Sequence, residues 1–183
     1  MQYISSYKED WPRKFEKIIA YLKTFLPEYC EFHHIGSTSI PGMPAKDIID
    51  IDVEHDHGDL AMIVNCLQKA GYEHLGDLGI TGREAFKTIP DLHAALLPEH
   101  HLYACETGAH ELQKHLSYRD YLLANPNRAL WLGKKKILTD AAARSRDEYI
   151  ENKSCYYEII TDESMAWSNK RLNIEAAKNR GAS

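Results

Sequence analysis

Asp50 and Asp52 are the residues with the most direct chemical use. In Ile49-Asp50-Ile51-Asp52-Val53, strand alternation sends three apolar side chains to one face and both carboxylates to the other. Two carboxylates about 6 to 7 Å apart on one face repel and raise each other's pKa unless a cation or water lies between them. A divalent ion resolves that conflict. Mg²⁺ or Mn²⁺ takes hard oxygens from one or two carboxylates and completes its shell with water and substrate phosphates. The plainer alternative is a surface strand with two solvated aspartates. Upstream, Gly36-Ser37-Thr38-Ser39-Ile40-Pro41-Gly42 is a turn-rich stretch in which glycine permits close backbone approach and hydroxyls and amide groups can cradle phosphate oxygens. Gly36-Ser37 at the end of a strand, twelve residues, then Asp-apolar-Asp on a second strand is more specific than either half. It describes a phosphate-bearing ligand beside a metal held by Asp50 and Asp52.

Other candidates have simpler alternatives. Lys46 steers an anionic ligand toward the site or is an exposed loop lysine. Lys134-Lys135-Lys136 with Arg144 and Arg146 receives a polyanionic acceptor or forms a solvated helix face. His55-Asp56-His57 offers two imidazoles to a transition metal, but reads also as a polar loop ahead of a helix. Ser37 with His34 or His101 lacks the glycine-flanked elbow and the orienting acid of a nucleophilic serine. Tyr118, Tyr121, Tyr156 and Tyr157 stand at helical spacings and read as packing residues. Cys30, Cys66, Cys105 and Cys155 show no paired zinc-site spacing and read as reduced thiols.

Two strands must flank the phosphate turn, and Cys30 to Ile35 and Asp47 to Glu54 fit them. Trp11, Phe15, Ile18, Ile19, Leu22 and Leu26 recur at helical spacing behind Asp10 and Pro12, so residues 11 to 26 form an amphipathic helix. Asp59 caps a second helix reaching Ala70, with Gly71 behind it. Two further strands, Arg83 to Ile89 and His100 to Glu106, are separated by a loop carrying Pro90 and Pro98. From His110 the pattern is helical over about 110 to 124, 127 to 143 and 146 to 172, broken first at Asn125-Pro126, and residues 173 to 183 fray. The expectation is a single α+β domain over residues 1 to 183. Its mixed β-sheet flanked by helices ends near residue 108, and a helical extension runs from 109 to 172.

Composition bounds the function classes. The 183 residues carry 22 basic and 27 acidic side chains, a net charge of −5, and 44% are apolar. That balance argues against general coating of nucleic acid. No apolar run approaches the roughly 20 residues of a membrane span, and the opening MQYISSYKEDWPRKF lacks the apolar stretch of a signal peptide. The expected location is the cytoplasm.

The run from His34 to Val53 resembles the nucleotidyltransferase superfamily of DNA polymerase beta type, whose signature is glycine-serine followed by two acids on the next strand. Within it, the run looks like the opening motif of the GrpB family. The similarity extends to Trp11-Pro12 and Phe15, Gly82-Arg83-Glu84 with Phe86, His100-His101-Leu102, Arg119-Asp120-Tyr121-Leu122 and the Tyr149 to Lys153 region, or roughly residues 3 to 160. The resemblance implies a nucleotidyltransferase fold, a Mg²⁺ or Mn²⁺ ion on Asp50 and Asp52, and a nucleoside triphosphate whose oxygens meet Gly36, Ser37 and Thr38. Arg83 would clamp the phosphates bidentately, or else pair with Glu84 or Glu73, and Lys46 would steer them. Two departures stand out. The family's Lys-Pro before the acidic strand is Lys46-Asp47 here, and its His-His-Leu-His is His100-His101-Leu102-Tyr103. Members of the superfamily place a third carboxylate on this late strand. Here parity puts His101 and Tyr103 on one face and Leu102, Ala104 and Glu106 on the other. His101 then serves as a weak third ligand or as a proton acceptor. Two functions are open: metal-dependent nucleotidyl transfer to an unspecified acceptor, or a nucleotide-binding or protein-interaction module whose catalytic set has decayed.

Overall fold

A computed structural model describes residues 3–89 and 96–181. Pro90 of the expected proline loop, and residues 1, 2, 182 and 183 of the expected domain, lie outside the described residues. Helix α1 spans Trp11–Leu22, with Pro12 in its first turn, where a missing amide hydrogen costs nothing. Asp10 pairs with Lys14 at 3.5 Å instead of capping through its side chain. The helix stops four residues short of the expected end because Leu26 precedes Pro27, and a residue before proline is pushed out of the helical region. Leu26 remains buried in the core all the same.

Strands β1 (Glu31–Ile35), β2 (Ile49–His55), β3 (Tyr72–Gly76), β4 (Glu84–Thr88) and β5 (His100–Glu106) form one mixed sheet in the order β1-β2-β5-β4-β3. β2 and β5 run parallel, and every other neighbouring pair is antiparallel. Helix α2 (Leu60–Lys69) joins β2 to β3. β3 was not among the expected strands. It is an edge strand of sequence YEHLG whose register shifts between His74 and Gly76, so it carries no apolar alternation to detect. One sheet face, with Ile49, Ile51, Val53, Phe86, Leu102 and Ala104, packs against Trp11, Ile18 and Leu22 of α1 and Ile63 and Leu67 of α2.

Pairing fixes what parity suggested. Asp50 lies beside His101 and Asp52 beside Tyr103 across β2 and β5, while Ile35 and His33 of β1 flank the two aspartates on the other side. Both carboxylates therefore leave the sheet on the face opposite the core. Helices α3 (His110–Ala124), α4 (Pro126–Ala142) and α5 (Arg146–Gly181) follow. α5 continues past residue 172 through much of the stretch expected to fray, because no proline or glycine interrupts it before Gly181. A second core of Ile40, Met43, Tyr118, Leu122, Leu132, Tyr156 and Ile160 ties these helices to the turn after β1. Among the described residues, no helix is long and apolar enough to cross a membrane.

Candidate functional site

The chain leaves β1 through Gly36, whose φ of 70° is a left-handed conformation that favours glycine. A Cβ there would also run into the Asp50 carboxylate of the neighbouring strand. Ser37, Thr38 and Ser39 then form a single 3-10 turn. The Ser37 hydroxyl accepts a hydrogen bond from Lys136 Nζ at 2.8 Å. Thr38 is buried, and its Oγ1 is 3.0 Å from His34 Nε2. The His34 ring stacks on Phe15 at 4.8 Å between centroids, and burial pushes its pKa down to about 4 against the pull of Asp50. It is a neutral spacer behind the turn.

Each aspartate is held by one imidazole. His101 Nδ1 donates to Asp50 Oδ1 at 2.8 Å, and His115 Nδ1 donates to Asp52 Oδ2 at 2.8 Å. The hydrogen bond to Asp50 raises the His101 pKa above its ordinary value, so the imidazolium is favoured. Asp52 is fully buried, and its Oδ1 has no hydrogen-bond partner. A buried, orphaned carboxylate oxygen is costly unless a cation meets it. That oxygen, with Asp50 on the same strand face, fits the hard-oxygen demand of Mg²⁺ or Mn²⁺. A third ligand is not preformed. Among the described residues, three ligand atoms come within 4.8 Å of one another at Glu31, His33 and Glu54, and not at Asp50, Asp52 and His101. Glu106 is no substitute, for it pairs with His57 at 2.9 Å and accepts from the Gly58 amide at 3.2 Å.

Around these groups lies a cavity of about 370 Å³, lined by Gly36, Ser37, Thr38, Lys46, Asp50, Arg83 and His101. The structure thus brings to one hollow all the expected site residues except Asp52, which is buried beside it under His115. Arg83 precedes β4 and has no described ion pair with Glu73 or Glu84. Its guanidinium lies 4.4 Å from the Tyr103 ring centroid, its Nε is unpartnered, and Glu84 bonds His74 instead. Lys46 is lowered in pKa by burial and by Arg146 and Lys153. The helices add residues that sequence reasoning missed. Lys136, expected on a solvated face, is 7% exposed and lines the cavity with Lys153, Tyr149 and Tyr157. The only available signal was its spacing from Leu132 and Asp140, one helical turn away on either side, which places it on the buried stripe of α4. For His115 no signal existed. The four cysteines are free, while His55 and His57 turn to separate partners, the Asp56 carbonyl and Glu106.

The arrangement is a hollow lined by Lys46 and Arg83, with the Asp50 carboxylate in its wall and that of Asp52 buried beside it. The family described as GrpB protein matches residues 3–163. The UPF0157 protein YqkA of Bacillus subtilis is 35% identical over 174 residues, which are 93% of this chain and 49% of that protein, so the chain spans about half its length. The glutamate-rich protein GrpB of Alkalihalophilus pseudofirmus is 32% identical over 86% of this chain and 92% of its own. The crystal structure of conserved protein GrpB from Enterococcus faecalis superposes with a TM-score of 0.75 at 30% identity, covering 90% of this chain and 98% of that one. The Cid1 poly(U) polymerase bound to MgGTP shares the fold at a TM-score of 0.50 and 16% identity, over 74% of this chain and 42% of its own.

Proposed function

The chain belongs to the GrpB family, and on that premise we propose that its cavity binds a nucleoside triphosphate with a divalent ion and transfers the nucleotidyl group to an acceptor, which attacks the α-phosphorus as the bond to the β-phosphate breaks and pyrophosphate leaves. One observation carries this reading. The left-handed turn at Gly36 lies against Asp50 so closely that no side chain fits, which makes the phosphate turn and the acidic strand a single wall. Ser37 Oγ, the backbone of Gly36 and Thr38, and the cations of Lys46 and Arg83 hold and orient phosphate oxygens. Asp50 and Asp52 would hold Mg²⁺ or Mn²⁺, which when bound supplies Lewis-acid stabilisation of phosphate charge. His115 fixes the orientation of Asp52 and His101 that of Asp50. The proposal places the protein in the cytoplasm, which supplies nucleotides and keeps unpaired thiols reduced.

A second reading, a nucleotide-binding or interaction module without transfer activity, draws on the β5 position beside Asp50, which carries His101 where the superfamily places an acid. One experiment separates the two. Each labelled nucleoside triphosphate is mixed with Mg²⁺ or Mn²⁺ and cell extract, and both binding and the destination of the label are measured for the parent, Asp50→Asn and Asp52→Asn. Label moved to an extract component supports the enzyme, and binding without transfer supports the module. Both variants should keep the parent's circular dichroism and lose metal-dependent binding. Parent-like affinity in either one would remove the metal role.

A further inference from the structure

Lys136 stands out because a lysine is rarely buried without a counter-ion. It is 7% exposed, its Nζ meets a neutral hydroxyl at Ser37, and among the described ion pairs none joins it to a carboxylate. The charges facing it make an ammonium costlier still. Lys153 of α5 presents a like charge, and Lys46 and Arg83 line the same cavity. The opposing charge is Asp50 of β2, already engaged by the imidazole of His101 on β5. Tyr149 of α5 contributes no charge, since burial holds its phenol well above the ordinary value. Burial first, then Lys153, pushes the Lys136 amine down to about 7.

We infer that Lys136 is the residue through which this cavity reads the charge of its ligand: its amine gives up its proton readily while the cavity is empty and takes one up as a polyphosphate enters beside Ser37. The ligand brings the counter-charge that the protein withholds, and pairing with it favours the ammonium. Specificity follows, because a ligand with several negative charges holds that proton more firmly than one with a single phosphate. The sign is fixed by linkage. The bound amine has the higher pKa, so affinity is full below about pH 7 and falls as pH rises above it. The inference rests on the nucleotide reading for the ligand's identity, though not for its charge.

Calorimetric titration of the full chain with inorganic tripolyphosphate, and separately with nucleoside triphosphates, in buffers of different ionisation enthalpy counts the protons exchanged. The reference is Lys136→Arg, whose charge is permanent and which shares the ligand's own protonation with the parent. At pH 8 the parent should take up about 0.9 proton more per site than Lys136→Arg, and its affinity relative to that variant should fall about tenfold from pH 8 to 9. Lys136→Met, which suits the buried site should arginine not fit, should likewise lack the uptake. Equal proton exchange in the parent and a variant that binds would overturn the inference. Tripolyphosphate bound with this uptake while no nucleoside triphosphate binds would keep it and remove the nucleotide reading, and binding of neither would remove both.

Discussion

Gly36 and Asp50 constrain one another, and Ser37 inherits its position from them. Ser37 Oγ already accepts from Lys136, so the hydroxyl can rotate its own proton toward a phosphate oxygen. Ser37→Ala should weaken nucleotide binding by about 0.5 to 3 kcal/mol, the range that spans neutral and charged hydrogen bonds, read from the change in Kd. Covalent trapping of Ser37 by a phosphonate probe would assign it a nucleophilic role instead. His34 couples the stability of the fold to pH. Folding lowers its pKa to about 4 by burying it against Phe15, so the folded state binds fewer protons than the unfolded chain between about pH 6.5 and 4. The stability it confers is present above that window and is lost as pH falls through it. Denaturant unfolding of the parent and His34→Gln should therefore show a gap that narrows from pH 7 to pH 4.5, whereas a constant gap would mean that His34 takes up its proton as readily in the folded state as in the unfolded chain.

Among the elements, the segment before β2 is fixed by a charge cluster. Where the family resemblance leads one to expect proline after the lysine, Asp47 accepts hydrogen bonds from Lys8 Nζ at 2.6 Å, Lys14 Nζ at 2.6 Å and Trp11 Nε1 at 2.8 Å. These donors hold its carboxyl well below the usual range, and they bind the approach to β2 to α1. The two-way backbone bridge between Ser5 and Ala45 reinforces the clasp. A proline would have rigidified the segment by fixing its own backbone, and here a partly exposed charge cluster does so through neighbours. Each exposed pair is worth only about 0 to 1 kcal/mol, so Asp47→Asn should lower Tm by a few degrees. Because Lys46 is adjacent, nucleotide affinity should drop as well. An unchanged Kd alongside a lowered Tm would separate the clasp from the site.

The whole molecule has two cores with different work. The first joins α1 and α2 to one face of the sheet, and the second joins α3, α4 and α5 to the turn after β1. Only the second brings Lys136 and Lys153 over the carboxylates. Ile160 lies at its centre with no exposed surface. Ile160→Ala should cost about 2 to 5 kcal/mol, as cavity-forming substitutions do. If the helices complete the proposed nucleotide site, nucleotide should raise the denaturant midpoint of Ile160→Ala by less than it raises that of the parent, because the loosened helices weaken binding. An equal rise in both would mean that the helices serve the fold alone.

The sequence by itself determined the sheet's central strands, the shared face of Asp50, Asp52, His101 and Tyr103, and the turn at Gly36. Those features follow from period-two alternation and from glycine's freedom at positive φ, both local properties of the chain. It did not disclose β3, an edge strand without apolar alternation, nor the role of Gly133, where a Cβ would meet Pro44 Cδ at 3.2 Å as α4 packs on the loop. It did not bring His115 to Asp52 or Lys136 to Ser37, partners 63 and 99 residues apart. The tertiary structure alone decided these, because which helix face is buried against a polar cavity depends on how the second core packs, and residue spacing within one helix carries no record of what lies across from it.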